Sequence, residues 1–229
     1  KKEKYYFLAN KKNIIEKRKK REYFSSKKSK TARKYSHILA KIPFIKMIAV
    51  SGSLAMQNSD KNEDIDFFIT TEKNRLWISR FLCILILELL GKRRRPLDKK
   101  LKDKICLNLF LDQSSLEITQ KNAYTAHEIC QIKPLVNKQK TYQQFIKSNN
   151  WVEEYWPNIY KELRKQNLLN KPETKNVIFK TILDFIDKLL FKIQFIYMRK
   201  KITNEKISYH AAFFHPQDRS NTIMENFKE

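Results

Sequence analysis

Glycine is almost absent from this chain: Gly52 and Gly91 are its only two in 229 residues. A Walker-type or dinucleotide-binding phosphate loop needs two or more closely spaced glycines. Both are therefore excluded, and any phosphate site has to work with one glycine. Cysteine is nearly as sparse. Cys83, Cys106 and Cys130 lie far apart among apolar neighbours, with no CxxC pair. That excludes a zinc ribbon, and an odd count of scattered thiols points to reduced cysteines and a cytoplasmic setting. A long apolar run is missing as well. The most apolar stretch, Phe81 to Leu90, sits in a segment carrying Arg80 and Glu88, whereas a spanning helix needs about 20 predominantly apolar residues. It reads as a buried helix, and no transmembrane segment is expected. No secretory signal is visible.

Acidic residues are the last scarcity. Asp and Glu total 24 against 48 Lys and Arg, a net charge of +24. Such an excess favours polyanionic partners, including nucleotides, RNA, DNA and anionic lipid. A chain rich in Lys, Asn and Ile also acquires a solvated basic surface from compositional bias alone, and both readings stand. What is present in quantity is core material: 41% hydrophobic and 12% aromatic residues predict a folded protein rather than a disordered one.

Along the chain, residues 11–41 read as a basic helix with Ala32, Tyr35, Ile38 and Leu39 at helical spacing, stopped by Pro43. Phe44–Val50 reads as a strand and Ser51–Ser53 as a turn, followed by a short helix at Leu54–Gln57. A polar loop leads to a second strand, Ile65–Thr70. A long helix over Arg75–Leu90, a basic loop Lys92-Arg-Arg-Arg95 and a third strand, Lys104–Leu111, follow. Beyond residue 120 no strand pattern is visible. Tyr124–Ile132, Tyr142–Ser148, Trp151–Leu169 and Asn176–Lys200 all read as helices, punctuated by Pro134, Pro157 and Pro172. The expected fold class is α+β, with an all-helical C-terminal region. The expected divisions are a basic lead-in over 1–35, read as the end of a longer N-terminal region, an α+β domain over 36–133 and a helical region over 134–229.

The chemistry concentrates in Val50-Ser51-Gly52-Ser53 and, ten residues on, Asp64-Ile65-Asp66. Residues two apart in a strand share a face, so Asp64 and Asp66 project side by side. Two such carboxylates repel unless a cation lies between them. Oxygen ligands suit Mg²⁺ or Mn²⁺, and Mg²⁺ typically takes one or two protein carboxylates plus substrate phosphates. Gly52 lets the backbone approach a ligand without a Cβ in the way, and Ser53 can donate to a phosphate.

These residues resemble the signature of the nucleotidyltransferase superfamily, which includes polymerase-β-like enzymes, poly(A)- and CCA-adding enzymes and antibiotic nucleotidyltransferases. The pattern is an apolar strand (Ala49-Val50), Gly-Ser (Gly52-Ser53), a gap, then acid–apolar–acid (Asp64-Ile65-Asp66) running into Phe67-Phe68. The resemblance covers roughly residues 36–112. Arg75-Leu76-Trp77, Ile105–Phe110 and Tyr124–Glu128 make the whole chain look more like a group of bacterial and archaeal proteins with a nucleotidyltransferase domain and a helical C-terminal region. The resemblance implies a small mixed sheet with flanking helices and transfer of NMP from an NTP–Mg²⁺ complex. Asp64 and Asp66 would hold the metal, while Gly52 and Ser53 would hold the nucleotide. The acceptor is not readable; RNA, a protein side chain and a small molecule are all compatible. The family's third acid, one strand later, falls by alternation on Asn108, which is not an acid. That departure leaves open a non-catalytic nucleotide- or RNA-binding protein that keeps the fold. Asp112 lies roughly 13 Å further along the strand, and Glu117 lies beyond it.

Other features read as structural. His37, His127, His210 and His215 form no metal set. The arginines after the long helix suit its C-terminal dipole. Lys17–Arg21 could track a phosphate backbone or form a solvated face. Ile178, Ile182, Phe185, Leu189, Ile193 and Ile196 make one helical stripe, for which core packing or self-association is the default and a membrane-surface role the lesser alternative.

Overall fold

The computed structural model describes residues 5–7, 13–96, 98–166, 180–199 and 205–214. Helix α1 (Asn13–Leu39) leads into β1 (Ile45–Val50), a four-residue helix α2 (Gly52–Ala55) and β2 (Ile65–Thr71). Helix α3 (Leu76–Leu89) carries the chain over to β3 (Ile105–Asp112). Then come α4 (Ala123–Gln131), β4 (Lys133–Asn137), α5 (Thr141–Ser148), a 3₁₀ turn at Asn150–Glu154 and α6 (Pro157–Lys165). Helix α7 (Lys180–Arg199) and the short strands β5 (Lys206–Ile207) and β6 (Ala211–Phe213) complete the described residues.

The fold class is α+β as the sequence predicts: one mixed sheet in the order β4-β1-β2-β3-β6-β5, with helices on both faces. Strands β2 and β3 are parallel, which requires a crossover, and α3 supplies it. β1 is antiparallel to both β2 and β4. All six of its residues are buried, so it carries apolar side chains on both faces, as a central strand does.

The expectation of no strand beyond residue 120 is overturned. β4 pairs with β1, and β6 pairs with β3. β4 hid because it is a half-exposed edge strand containing Pro134, a residue that sheets accept at edges. β6 hid because it has three residues. The helix expected over Trp151–Leu169 also differs. It is split into the 3₁₀ turn and α6 at Pro157, which takes the first helical position, where its missing N–H costs nothing.

Strand alternation sorts the core. Ile65, Phe67 and Ile69 of β2 face a cluster with Ala32, Tyr35, Leu39, Trp77 and Cys83 from α1 and α3. Phe68 faces the other cluster, with Phe145, Ile146, Trp151 and Tyr160. Asp66 therefore shares the face of Phe68, at the end of β2 where the strand is not yet covered by that second cluster.

Candidate functional site

Helix α1 shapes the loop between Gly52 and Asp64. Arg18 donates to the Met56 carbonyl, Arg21 to Asn58 Oδ1 at 3.3 Å, and Ser25 Oγ accepts from the Ser59 amide at 2.9 Å. Lys28 is buried, donates to the Glu63 carbonyl at 2.5 Å and lies 3.3 Å from Asp103. A basic helix thus reaches the candidate site through four of its side chains.

Two of the residues singled out by sequence meet in the structure. Gly52 has φ +59°, and a Cβ built on it would stand 3.1 Å from Asp66 Oδ2. The backbone is therefore pressed against the carboxylate, in a conformation that L residues adopt at a cost. Gly52→Ala is expected to destabilise the fold by about 1–2 kcal/mol and to displace Asp66, as a chemical melt with nucleotide titration would show. The Ser51 amide donates to the Asp66 carbonyl at 3.2 Å, tying the turn to β2. Ser53 also braces the loop. Its hydroxyl donates to Glu63 Oε2 at 2.6 Å and lies 2.9 Å from Ser59 Oγ.

Strand register decides the third position. Asp66 pairs with Cys106, Phe67 with Leu107 and Phe68 with Leu109. Asn108 is the extra residue at a β-bulge, buried, with its carbonyl accepting from the Phe214 amide at 2.9 Å. The residue brought beside Asp66 is Cys106. Ligand atoms of Asp64, Asp66 and Cys106 all lie within 4.8 Å of one another, the one group of this kind among the described residues. Asp112 and Glu117 lie elsewhere. Asp112 is fully buried and accepts from the Asn74 and Ser114 amides, with His210 Nδ1 2.7 Å away; Glu117 pairs with Lys121. His37 and His127 stand apart from these contacts, and His215 lies outside the described residues.

Sequence reading missed Arg94. The loop after α3 runs alongside β3, with the Arg94 amide donating to the Ile105 carbonyl and the Ile105 amide to the Lys92 carbonyl. Arg93 and Arg95 both bond Glu88, in keeping with a structural role. Arg94 turns to the carboxylates instead: Nε lies 3.0 Å from Asp64 Oδ2, and Nη1 lies 3.3 Å from Cys106 Sγ. The Nε approach is angled so that no hydrogen bond closes, and Arg94 Nε and Asp64 Oδ2 are both buried without a hydrogen-bond partner among the described residues. Nothing local in the sequence distinguishes Arg94 from its neighbours.

The electrostatics follow from this geometry. Desolvation, then the charge of Asp64, push the Asp66 carboxyl up to about 7, against opposing contributions from Cys106 and Arg94. Desolvation and the neighbouring Asp66 push the Cys106 thiol up, so it is a neutral thiol at physiological pH. The site thus offers two crowded carboxylates, one buried oxygen left without a hydrogen bond, and a single guanidinium as counter-charge. That fits a divalent cation held by Asp64 and Asp66. Cys106 adds a neutral sulfur, which suits Mg²⁺ poorly.

No protein-family model matches this chain, and no curated protein matches it. Among solved structures, one described as a toxin-antitoxin with AMP-PNP is similar, with a TM-score of 0.33 and 15% identity, covering 57% of this chain and 97% of that one. A likeness this distant transfers nothing to the site, which rests on its own geometry. No described helix is long and apolar enough to cross a membrane.

Proposed function

We propose that the chain is a nucleotidyltransferase-type protein that binds a nucleoside triphosphate with Mg²⁺ or Mn²⁺ and transfers NMP to an acceptor. The observation carrying this reading is the Gly52 backbone pressed onto the Asp66 carboxylate beside Asp64, because such an arrangement brings a ligand-accessible backbone and a cation-demanding pair to one point. A bound Mg²⁺ would screen the triphosphate charge and orient it. Asp64 and Asp66 hold that cation. Gly52 and Ser53 present the backbone to the phosphates, with Ser53 also bracing the loop through Glu63. Arg94 exchanges its carboxylate contact for the triphosphate. In the reaction an acceptor hydroxyl oxygen bonds to the α-phosphorus and gives up its proton to solvent, the bond to the bridging oxygen breaks, and pyrophosphate leaves. We read Cys106, which pairs with Asp66, in place of Asn108 as the counterpart of the third acid. Cys106 brings neither charge nor basicity, which favours slow transfer by the wild type and supports the second reading, a nucleotide binder without turnover.

Purified protein incubated with each α-labelled NTP, Mg²⁺ or Mn²⁺ and cell extract separates the two. A labelled product with pyrophosphate release supports transfer, and NTP retained intact supports binding alone. Arg94 provides a further check. Because its guanidinium competes with a metal ion for Asp64, Arg94→Ala should raise affinity for Mn²⁺ alone by several-fold and lower affinity for Mg²⁺–NTP. Calorimetry showing both affinities unchanged would remove Arg94 from the site.

A further inference from the structure

Helix α7 docks through a mixed face, on which Leu190, Phe191 and Met198 pack against the core beside three polar anchors. Asp184 Oδ1 accepts from Arg75 Nη1 at 2.5 Å, and Asp187 Oδ1 from the Ile78 amide at 2.8 Å. Gln194 accepts from Arg80 at 2.5 Å and donates to the Trp77 carbonyl at 2.9 Å. The Phe191 ring packs on Trp77 with centroids 4.9 Å apart. The apolar stripe, for which core packing or self-association is the default expectation, faces out. Ile182, Phe185, Leu189, Ile193, Ile196 and Tyr197 are between 47% and 68% exposed, and Ile178 lies outside the described residues. At 100° per residue these six fall on one arc. Lys188, Lys192 and Arg199, all exposed, flank one side of it, while both carboxylates of the described α7 are engaged by α3. On α3 itself, Phe81, Leu85 and Leu89, spaced every four residues, are also exposed.

We propose that this face seats on an anionic lipid surface, with α7 lying in the plane of the headgroups. An uninterrupted stripe of bulky apolar side chains marks an interaction surface, and charge complementarity selects the occupant. A chain of net charge +24 opposes a second copy of itself and is drawn to an anionic layer. A lipid surface also requires no matching groove, only an apolar stripe with a cationic flank. The helix lies on the layer rather than crossing it, since no described helix is apolar and long enough to span. This inference stands independently of the nucleotide site.

The test is flotation of the full chain with vesicles of phosphatidylglycerol and phosphatidylcholine in equal parts, or of phosphatidylcholine alone, at about 0.15 M salt. The wild type is expected to float with the anionic vesicles only. Leu189→Ser/Ile193→Ser should keep its melting temperature, because both side chains are already exposed, yet lose more than about tenfold in vesicle affinity. Phe185→Trp should shift its emission to the blue on anionic vesicles, a sign of insertion that adhesion by bulk charge does not produce. Equal flotation of the serine variant, or no blue shift, would overturn the proposal. So would a dimer in sedimentation that the serine variant abolishes while neither protein floats, since the face would then belong to a second copy.

Discussion

Asp66→Asn should make the metal-free protein more stable, by about 2–4 kcal/mol at pH 8, while abolishing Mg²⁺-dependent nucleotide binding. The Asp66 carboxyl is raised from 3.8 to about 7 in the folded protein. A carboxyl raised on folding binds its proton more tightly in the folded state. Its contribution to stability is therefore fully present below pH 3.8 and is lost as pH rises through about 7. Above pH 7 the folded chain holds an ionised Asp66 against Asp64. A shift of this size corresponds to about 4 kcal/mol at most, lowered by solvent reaching a partly exposed group. For a chain of this length that is roughly 5–15 °C in melting temperature. The neutral amide removes the repulsion. The gap between variant and wild type should be wide at pH 8 and should close as pH falls toward 4. Mg²⁺ should narrow it from the other side, by stabilising the wild type alone. Thermal melts of both proteins at pH 5 and pH 8, with and without Mg²⁺, read all four conditions. A variant less stable than the wild type at pH 8 would show that Asp66 is a structural carboxylate satisfied by its neighbours.

The second large effect is expected at Cys106. If transfer by the wild type is limited by a missing third carboxylate, Cys106→Asp supplies one in the right register, since Cys106 pairs directly with Asp66. The variant should release pyrophosphate at least about tenfold faster with an acceptor present, in line with the usual worth of a positioned general base. Without metal it should melt lower, because a third negative charge joins the pair; Mg²⁺ should restore the difference. Asn108→Asp provides the contrast. Asn108 is 4% exposed at the bulge, so a charge there is buried, and the variant should lose stability that Mg²⁺ does not return. If Asn108→Asp is the faster enzyme and Cys106→Asp is inert, the vacant position is Asn108 and the assignment of Cys106 fails.

These two residues also show how far the sequence could be read. Asp64, Asp66 and Gly52 were legible because their relation depends on short-range rules: two-residue alternation and one obligatory glycine. The place of Cys106 depends on a bulge between Phe67–Leu107 and Phe68–Leu109. A bulge shifts register by one residue and moves every later side chain to the other face, and no residue pattern here announced it. Arg94 reaches the site through a bridge between the 92–95 loop and Ile105, a contact set by tertiary packing. The stripe on α7 was legible as a stripe, but periodicity cannot say which side meets the core. A second apolar set, Leu190, Phe191 and Met198, packs on the core, while Arg75, Arg80 and the first-turn amides of α3 hold the polar groups between them. β4 and β6 were lost for being short and lying away from the sheet's central strands.

The central claim is that Asp64 and Asp66 together hold a divalent cation that carries a nucleoside triphosphate. It is tested most directly by calorimetric titration of ATP, GTP, CTP and UTP into the wild type, Asp64→Asn and Asp66→Asn, each with Mg²⁺ and with EDTA. The wild type should bind at least one of the four with Mg²⁺ and lose that binding in EDTA, and neither variant should bind under either condition while both stay folded. Nucleotide binding that is unchanged in both variants, or indifferent to EDTA, would contradict it.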